Sequence, residues 1–176
     1  EIDDAIARLP DWMEDKPGRW SWLFPLNRSA SHFEPKGRVL IMAPWNYPFL
    51  LFLSPIAAAI AAGNVVIAKP SHKTPRVSAV LESIIADVFE KDEVAVVQGA
   101  GAEIGDRLLA LPFDHVFFTG SPKVGAHVAE CAAKVHASIT LELGGKSPTF
   151  ILDDVKVADA ARKIAWGKCL NAGQTC

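Results

Sequence analysis

Cysteine thiolate is the most readily formed strong nucleophile among protein side chains, and this chain carries three candidates: Cys131, Cys169 and Cys176. Their count is odd and no Cys-x-x-Cys occurs. The five histidines (His32, His72, His115, His127, His136) form no His-x-x-x-His pair. Neither a disulfide framework nor a structural zinc is therefore expected. Taken alone, each cysteine reads as a small buried residue. The run that precedes Cys176, Asn171-Ala172-Gly173-Gln174-Thr175, sets that one apart. Two glycine loops offer a second kind of chemistry, anion binding. Phe118-Thr119-Gly120-Ser121-Pro122-Lys123-Val124-Gly125 puts a glycine and a hydroxyl at a helix start. Free backbone N–H groups and the positive end of the helix dipole favour a phosphate there. An ordinary N-cap serine is the plainer alternative. Gly99-Ala100-Gly101-Ala102-Glu103-Ile104-Gly105 has one residue too many before its last glycine to match the dinucleotide fingerprint, so a turn and helix cap is the preferred reading.

These groups need a scaffold, and the hydrophobic pattern supplies one from Gly37 onward. The apolar run 38–43 is bounded by Gly37 and Pro44, and a second, 64–68, is ended by Pro70; both suit buried strands. Residues 48–62 are helical in composition, broken only by Ser54 and Pro55, and stop at Gly63, a good C-terminal cap. Thr74-Pro75 opens the next helix with a capping residue and a first-turn proline. Its apolar positions Val77, Val80, Leu81, Ile84, Ile85 and Val88 follow helical spacing. Further strands are expected at 94–97, 115–118, 138–143 and 149–152, and helices at 102–110, 121–134 and 157–170. Apolar strands alternating with helices predict an α/β fold, a doubly wound parallel sheet covered on both faces. Ligands of such sheets bind beyond the carboxyl ends of the strands. Before Gly37, Ile2, Ile6 and Leu9 predict a short helix ended by Pro10, then an extended arm turning at Pro17-Gly18 and Pro25.

Four more segments join the loop at Phe118–Gly125: Pro44-Trp45-Asn46-Tyr47-Pro48, Ala68-Lys69-Pro70-Ser71, Leu141-Glu142-Leu143-Gly144-Gly145-Lys146, and Asn171 through Cys176. In identity, order and spacing the five resemble the aldehyde dehydrogenase superfamily, from about residue 37 to Cys176. The amino end and the 37–48 segment look closest to its class 3 branch. The resemblance implies a Rossmann-like cofactor-binding domain and an NAD(P)-dependent oxidation of an aldehyde to the acid. Cys176 matches the nucleophile that forms a thiohemiacetal and then a thioester. Asn46 matches the amide that, with the Cys176 backbone N–H, donates to the developing oxyanion. Glu142 matches the general base for the deacylating water. Its place after Ile139-Thr140-Leu141 predicts partial desolvation, which suits such a base. Branches that hand the acyl group to coenzyme A usually lack this base, so hydrolysis is implied.

For the cofactor, the resemblance implies that Lys69 hydrogen-bonds the adenosine ribose, that Gly120 and Ser121 form the pyrophosphate loop, and that Trp45 lines the nicotinamide side. Ser71, Gly125, Leu143 and Gly144 are expected to bind the cofactor as well. One position departs from the pattern. The residue after Ser71 is commonly a glutamate that holds the ribose hydroxyls; here it is His72, followed by Lys73. A carboxylate repels the 2′-phosphate of NADP, whereas these two residues tolerate or bind it. NADP is therefore expected to serve at least as well as NAD.

The expected organisation is a helix and arm over 1–36 acting in oligomerisation, an NAD(P)-binding domain over 37–170, and the start of a catalytic domain at 171–176. A chain of this length by itself is expected to bind nucleotide weakly and not to turn over aldehyde. Ending on Cys176, the expected nucleophile, is read as either a truncation or a covalent adduct or oxidation at that thiol. The parent is expected to be a homodimer or homotetramer acting on a small-molecule aldehyde, apolar, aromatic or medium-chain. A formal net charge of −2 without a basic cluster argues against nucleic acid and anionic membranes as partners. No apolar run approaches the roughly 18 residues of a membrane span, and Glu1, Asp3 and Asp4 stand where a leader would be basic, so a cytoplasmic protein is expected. The rival from another class is a non-catalytic nucleotide-binding scaffold, against which Asn46, Glu142 and Cys176 all speak.

Overall fold

Two short apolar runs, each closed by a proline shortly after it ends, become the centre of a sheet. The computed structural model describes residues 2–176; Glu1, one of the acidic residues noted above, lies outside them. In chain order the elements are α1 (Ile2–Met13), β1 (Lys16–Pro17), β2 (Ala30–Ser31), β3 (Arg38–Met42), α2 (Leu50–Ala61) and β4 (Val65–Lys69). There follow α3 (Pro75–Val88), β5 (Val94–Val96), α4 (Asp106–Leu109), β6 (His115–Gly120), α5 (Pro122–Lys134), β7 (Ser138–Leu143) and α6 (Val157–Cys169). β1 and β2 pair antiparallel within the amino-terminal arm. The remaining strands form one parallel sheet in the order β5-β4-β3-β6-β7. The winding reverses between β3 and β6, where a doubly wound sheet opens its ligand crevice.

Side-chain alternation along β3 sorts the core. Val39 and Ile41 point into one layer with Phe52 and Ile56 of α2 and Leu81 and Ile85 of α3. Leu40 and Met42 point into the other, with Leu108 and Leu109 of α4 and Val128 and Ala132 of α5. Burying both faces explains why the strands read as continuous apolar runs. Gly63 closes α2 with φ +79, and its N–H reaches the Ile60 carbonyl at 2.8 Å.

Several local expectations change. α1 runs through Pro10 to Met13, because none of its residues is buried and water can satisfy the carbonyl that the proline ring leaves unpaired. Thr74 does not cap α3: its hydroxyl donates to the Ser71 carbonyl at 3.4 Å. The helix expected over 102–110 divides into a π-helical turn (Gly101–Gly105) and α4. Residues 149–152 form no strand. They have strand-forming composition but pair with neither free edge of the sheet, β5 or β7, and Phe150 is left 85% exposed. Among the described residues no helix is long and apolar enough to cross a membrane, and no cluster of His, Cys, Asp or Glu could hold a metal.

The amino end of the sheet is fastened by Asp114. Its Oδ2 accepts from the Arg38 backbone N–H at 2.8 Å and from Arg38 Nε at 3.0 Å, while Oδ1 accepts from Nη2 at 3.1 Å. Gly37 sits beside it at φ +115, where an added Cβ would lie 2.7 Å from Asp114 Oδ2. The Arg38 hydrogen bonds hold the Asp114 carboxyl down at about 2. A depressed carboxylate stabilises the fold above its unfolded pKa, and that contribution disappears as pH falls from about 4 through the folded value. Asp114→Asn is therefore expected to lower the urea midpoint at neutral pH. The gap to the unaltered protein should close as pH drops through that window, and a constant gap would count against the assignment.

Candidate active site

The carboxyl ends of four of the five strands of the sheet carry residues singled out from sequence. Sheet order sets their sequence across the edge: Lys69 and Ser71 after β4, Trp45 and Asn46 after β3, Gly120 and Ser121 after β6, Glu142 to Gly144 at the end of β7. Ordinary strand spacing puts the β4 and β7 ends about 14 Å apart. Registers fix the neighbours. Met42 pairs with Lys69 and Phe118, Thr119 with Glu142, and Gly120 with Leu143.

Lys69 is only 5% exposed, and its ammonium donates to a single acceptor, the Pro70 carbonyl, at a long 3.4 Å. Burial pushes the ammonium below the ordinary lysine range. A buried amine with three N–H donors and one weak bond is suited to a hydroxyl-bearing ligand. Ser71 is buried beside it and accepts from the Lys73 N–H at 3.3 Å, while its carbonyl accepts from Ser78 Oγ at 2.9 Å. His72 and Lys73 are exposed, and the Lys73 ammonium lies 5.6 Å from the Trp45 ring centre.

On the other side of β3, Ser121 is the N-cap of α5, its hydroxyl accepting from Val124 N–H at 3.4 Å. Ser121 thus caps the helix, and the other first-turn N–H groups keep no helical partner, the condition under which a helix start attracts an anion. Gly125 is buried, and a Cβ there would fall 2.7 Å from Leu143 Cδ2, so its smallness lets α5 sit against the end of β7. A Cβ on Gly144 would meet nothing within 4 Å. Glu142 is exposed, so the desolvation expected of it is absent in this chain: β7 is an edge strand and nothing covers its end.

The segment leading to Cys176 folds back onto two of these loops. Asn171, Ala172 and Gly173 all take positive φ (50, 54 and 76), turning the chain sharply after α6. Asn46 Nδ2 donates to the Gln174 carbonyl at 2.7 Å, and Asn171 Nδ2 donates to the Asn46 carbonyl at 2.8 Å. The hydroxyls of Tyr47 and Thr175 lie 3.0 Å apart. Gly145 N–H donates to the Cys176 carbonyl at 2.7 Å. Asn46, Cys176 and the Glu142 loop are thereby drawn together, and the Cys176 side chain is exposed. Cys131 and Cys169 lie elsewhere: Cys131 faces His127 within α5, at 3.7 Å, and Cys169 ends α6. Sequence reasoning assigned no role to Asn171 or Tyr47. The Asn171-Ala172-Gly173 run, with two residues tolerant of left-handed backbone, was the available signal for the turn.

The chain is similar in sequence and fold to known proteins. The model of the aldehyde dehydrogenase family matches residues 9–176. Aldehyde dehydrogenase family 3 member A2 of Macaca fascicularis is 42% identical over 176 residues, covering 100% of this chain and 36% of the relative. The dimeric NADP-preferring aldehyde dehydrogenase of Rattus norvegicus is 43% identical over 176 residues, 100% of this chain and 39% of the relative. The substrate-bound structure of Staphylococcus aureus AldH superposes with a TM-score of 0.94 at 40% identity, covering 98% of this chain and 38% of that one. The chain thus spans less than two fifths of the length of the curated relatives it matches. On this match to the family model and these relatives, the chain belongs to the aldehyde dehydrogenase family.

Proposed function

We propose that this chain is the cofactor-binding part of an enzyme that oxidises an aldehyde to its carboxylic acid with NADP or NAD. The observation that carries the reading is the convergence of Asn46, the Cys176 segment and the Glu142 loop at the sheet edge that also bears Lys69 and Ser121. Lys69, Ser71 and His72 would hold the adenosine ribose. Gly120 and Ser121, with Gly125 allowing α5 its close approach, would hold the pyrophosphate, and Trp45, Leu143 and Gly144 would flank the nicotinamide. When bound, the nicotinamide accepts the hydride that leaves the substrate carbon.

The residues of the chain do the rest. The Cys176 sulfur bonds to the aldehyde carbon, and the carbonyl oxygen becomes an oxyanion. Asn46 Nδ2 carries two hydrogens; one is given to the Gln174 carbonyl, and the other remains for that oxyanion alongside the Cys176 N–H. Loss of hydride turns the thiohemiacetal into a thioester. Glu142 then takes a proton from water, whose oxygen attacks the acyl carbon and releases the acid and the thiolate. In the whole protein the Glu142 carboxylate would be brought out of bulk water, which its exposure here leaves undone. An apolar, aromatic or medium-chain aldehyde, a dimer or tetramer bridged through the arm, and a cytoplasmic setting complete the reading.

The test is formation of reduced cofactor by the whole protein with aliphatic and aromatic aldehydes, run with NAD and with NADP; no turnover with any of them sinks it. His72 sets a sharper expectation, supported by the NADP preference of the rat relative. kcat/KM with NADP should equal or exceed that with NAD, and His72→Glu should lower the NADP value about tenfold or more by like-charge repulsion at the 2′-phosphate. NAD preferred by more than about tenfold, with His72→Glu changing nothing, would remove His72 from the cofactor site.

A further inference from the structure

We infer that Asn171 is a positioning residue for the oxyanion site, acting through Asn46. The inference rests on the aldehyde-oxidising reading above. The two asparagines hold one another across the loops in opposite senses. Asn46 Nδ2 donates to the backbone of the nucleophile segment at Gln174, and Asn171 Nδ2, from that same segment, donates to the backbone of Asn46. One side-chain bond alone would leave the 44–48 loop free to rotate about it; a reciprocal pair fixes both its distance and its orientation. Asn171 is itself tightly held. Its carbonyl accepts from Gln174 N at 3.1 Å and Gln174 Nε2 at 3.0 Å, so the residue that Asn46 grips is anchored to the one that grips Asn46. Its backbone stands at φ 50, ψ 38, a conformation that asparagine tolerates better than other side-chain-bearing residues. The Tyr47–Thr175 hydroxyl contact closes the same seam beside Cys176. What Asn171 sets is the direction of the second Asn46 N–H relative to Cys176, and that direction matters only once negative charge develops on the substrate oxygen.

Asn171→Gly isolates this function in the whole protein. Glycine adopts the left-handed backbone without strain, so the substitution removes the donor and leaves the turn. The expected result is a fall in kcat for aldehyde oxidation of about 10²-fold, the usual loss for a misaligned oxyanion donor, with cofactor KM unchanged within about twofold. Because Asn171 acts through Asn46, the Asn46→Ala, Asn171→Gly double variant should be no slower than Asn46→Ala alone, within about threefold. A merely structural role would instead make the two losses multiply. Asn171→Asp keeps the shape and the left-handed tolerance while losing the donor. It should reproduce the kcat loss and the non-additivity, so that misfolding of one variant leaves the other to decide. Multiplying losses, or unaltered kcat in Asn171→Gly or Asn171→Asp, would overturn the inference while leaving the proposed reaction intact. Absence of aldehyde turnover in the unaltered protein would overturn both.

Discussion

Cys176→Ser should abolish aldehyde oxidation, lowering kcat on the order of 10⁴-fold or more, while nucleotide affinity stays within about twofold. A hydroxyl is a weak nucleophile unless a base takes its proton, and the structure provides none: no hydrogen bond reaches the Cys176 thiol among the described residues. The sulfur must attack as thiolate, a state that serine cannot imitate at neutral pH. The residues proposed for the nucleotide lie at or just beyond the carboxyl ends of β3, β4, β6 and β7, and among the described residues none hydrogen-bonds the Cys176 side chain, which is why binding should survive. Cofactor binding by fluorescence titration, run beside the kinetic assay, separates the possibilities. Retained turnover in the serine variant would remove Cys176 from the chemistry. Joint loss of turnover and nucleotide binding would show that the substitution had disturbed the fold.

Glu142→Gln should divide the reaction in two. Acylation and hydride transfer need no base at this position, so the first turnover should still yield about one reduced cofactor per active site. Deacylation should then slow by roughly 10²- to 10³-fold, within the usual range for removal of a general base. The trace to look for is a burst followed by a slow steady state, with the acyl-enzyme visible as added mass on Cys176. Glutamine keeps the strand-end geometry beside Thr119, so the loss would belong to the proton acceptor rather than to packing. A variant with no burst would place Glu142 before or at hydride transfer instead, and one with full turnover would leave it no part in deacylation.

How much of this could be read in the sequence depended on whether the information was local. The parallel sheet was legible because double burial turns strands such as Arg38–Met42 and Val65–Lys69 into unbroken apolar runs. The loop residues were legible because five short segments keep their order and spacing. What escaped was set by partners far away in the chain. Residues 149–152 have the composition of a strand, but pairing needs the chain path to lay them along a sheet edge, which composition cannot report. Pro10 failed to end α1 because that helix is exposed, and exposure is a tertiary property. Thr74 has the chemistry of a cap yet turns its hydroxyl to Ser71. Glu142 was expected to be desolvated from its apolar neighbours, but desolvation depends on what covers an edge strand, and here nothing does. Asn171 looked like a turn residue; only the fold shows that its amide reaches the carbonyl of Asn46.

The bonds that join Asn46 and Tyr47 to the Cys176 segment link residues 125 to 128 positions apart in the chain. The polypeptide between them includes all four strands from β4 to β7. Closing so long a loop carries an entropy cost that grows with the logarithm of its length, and a few hydrogen bonds cannot repay it unless the sheet has already drawn the ends together. Contacts of this range therefore form late in folding, after the local βαβ units have docked. Synthesis runs in the same direction, since every strand of the sheet leaves the ribosome before residue 171 does. Cys176 consequently joins a scaffold that is already built, and the proposed nucleophile site is not assembled while the core is still open to solvent.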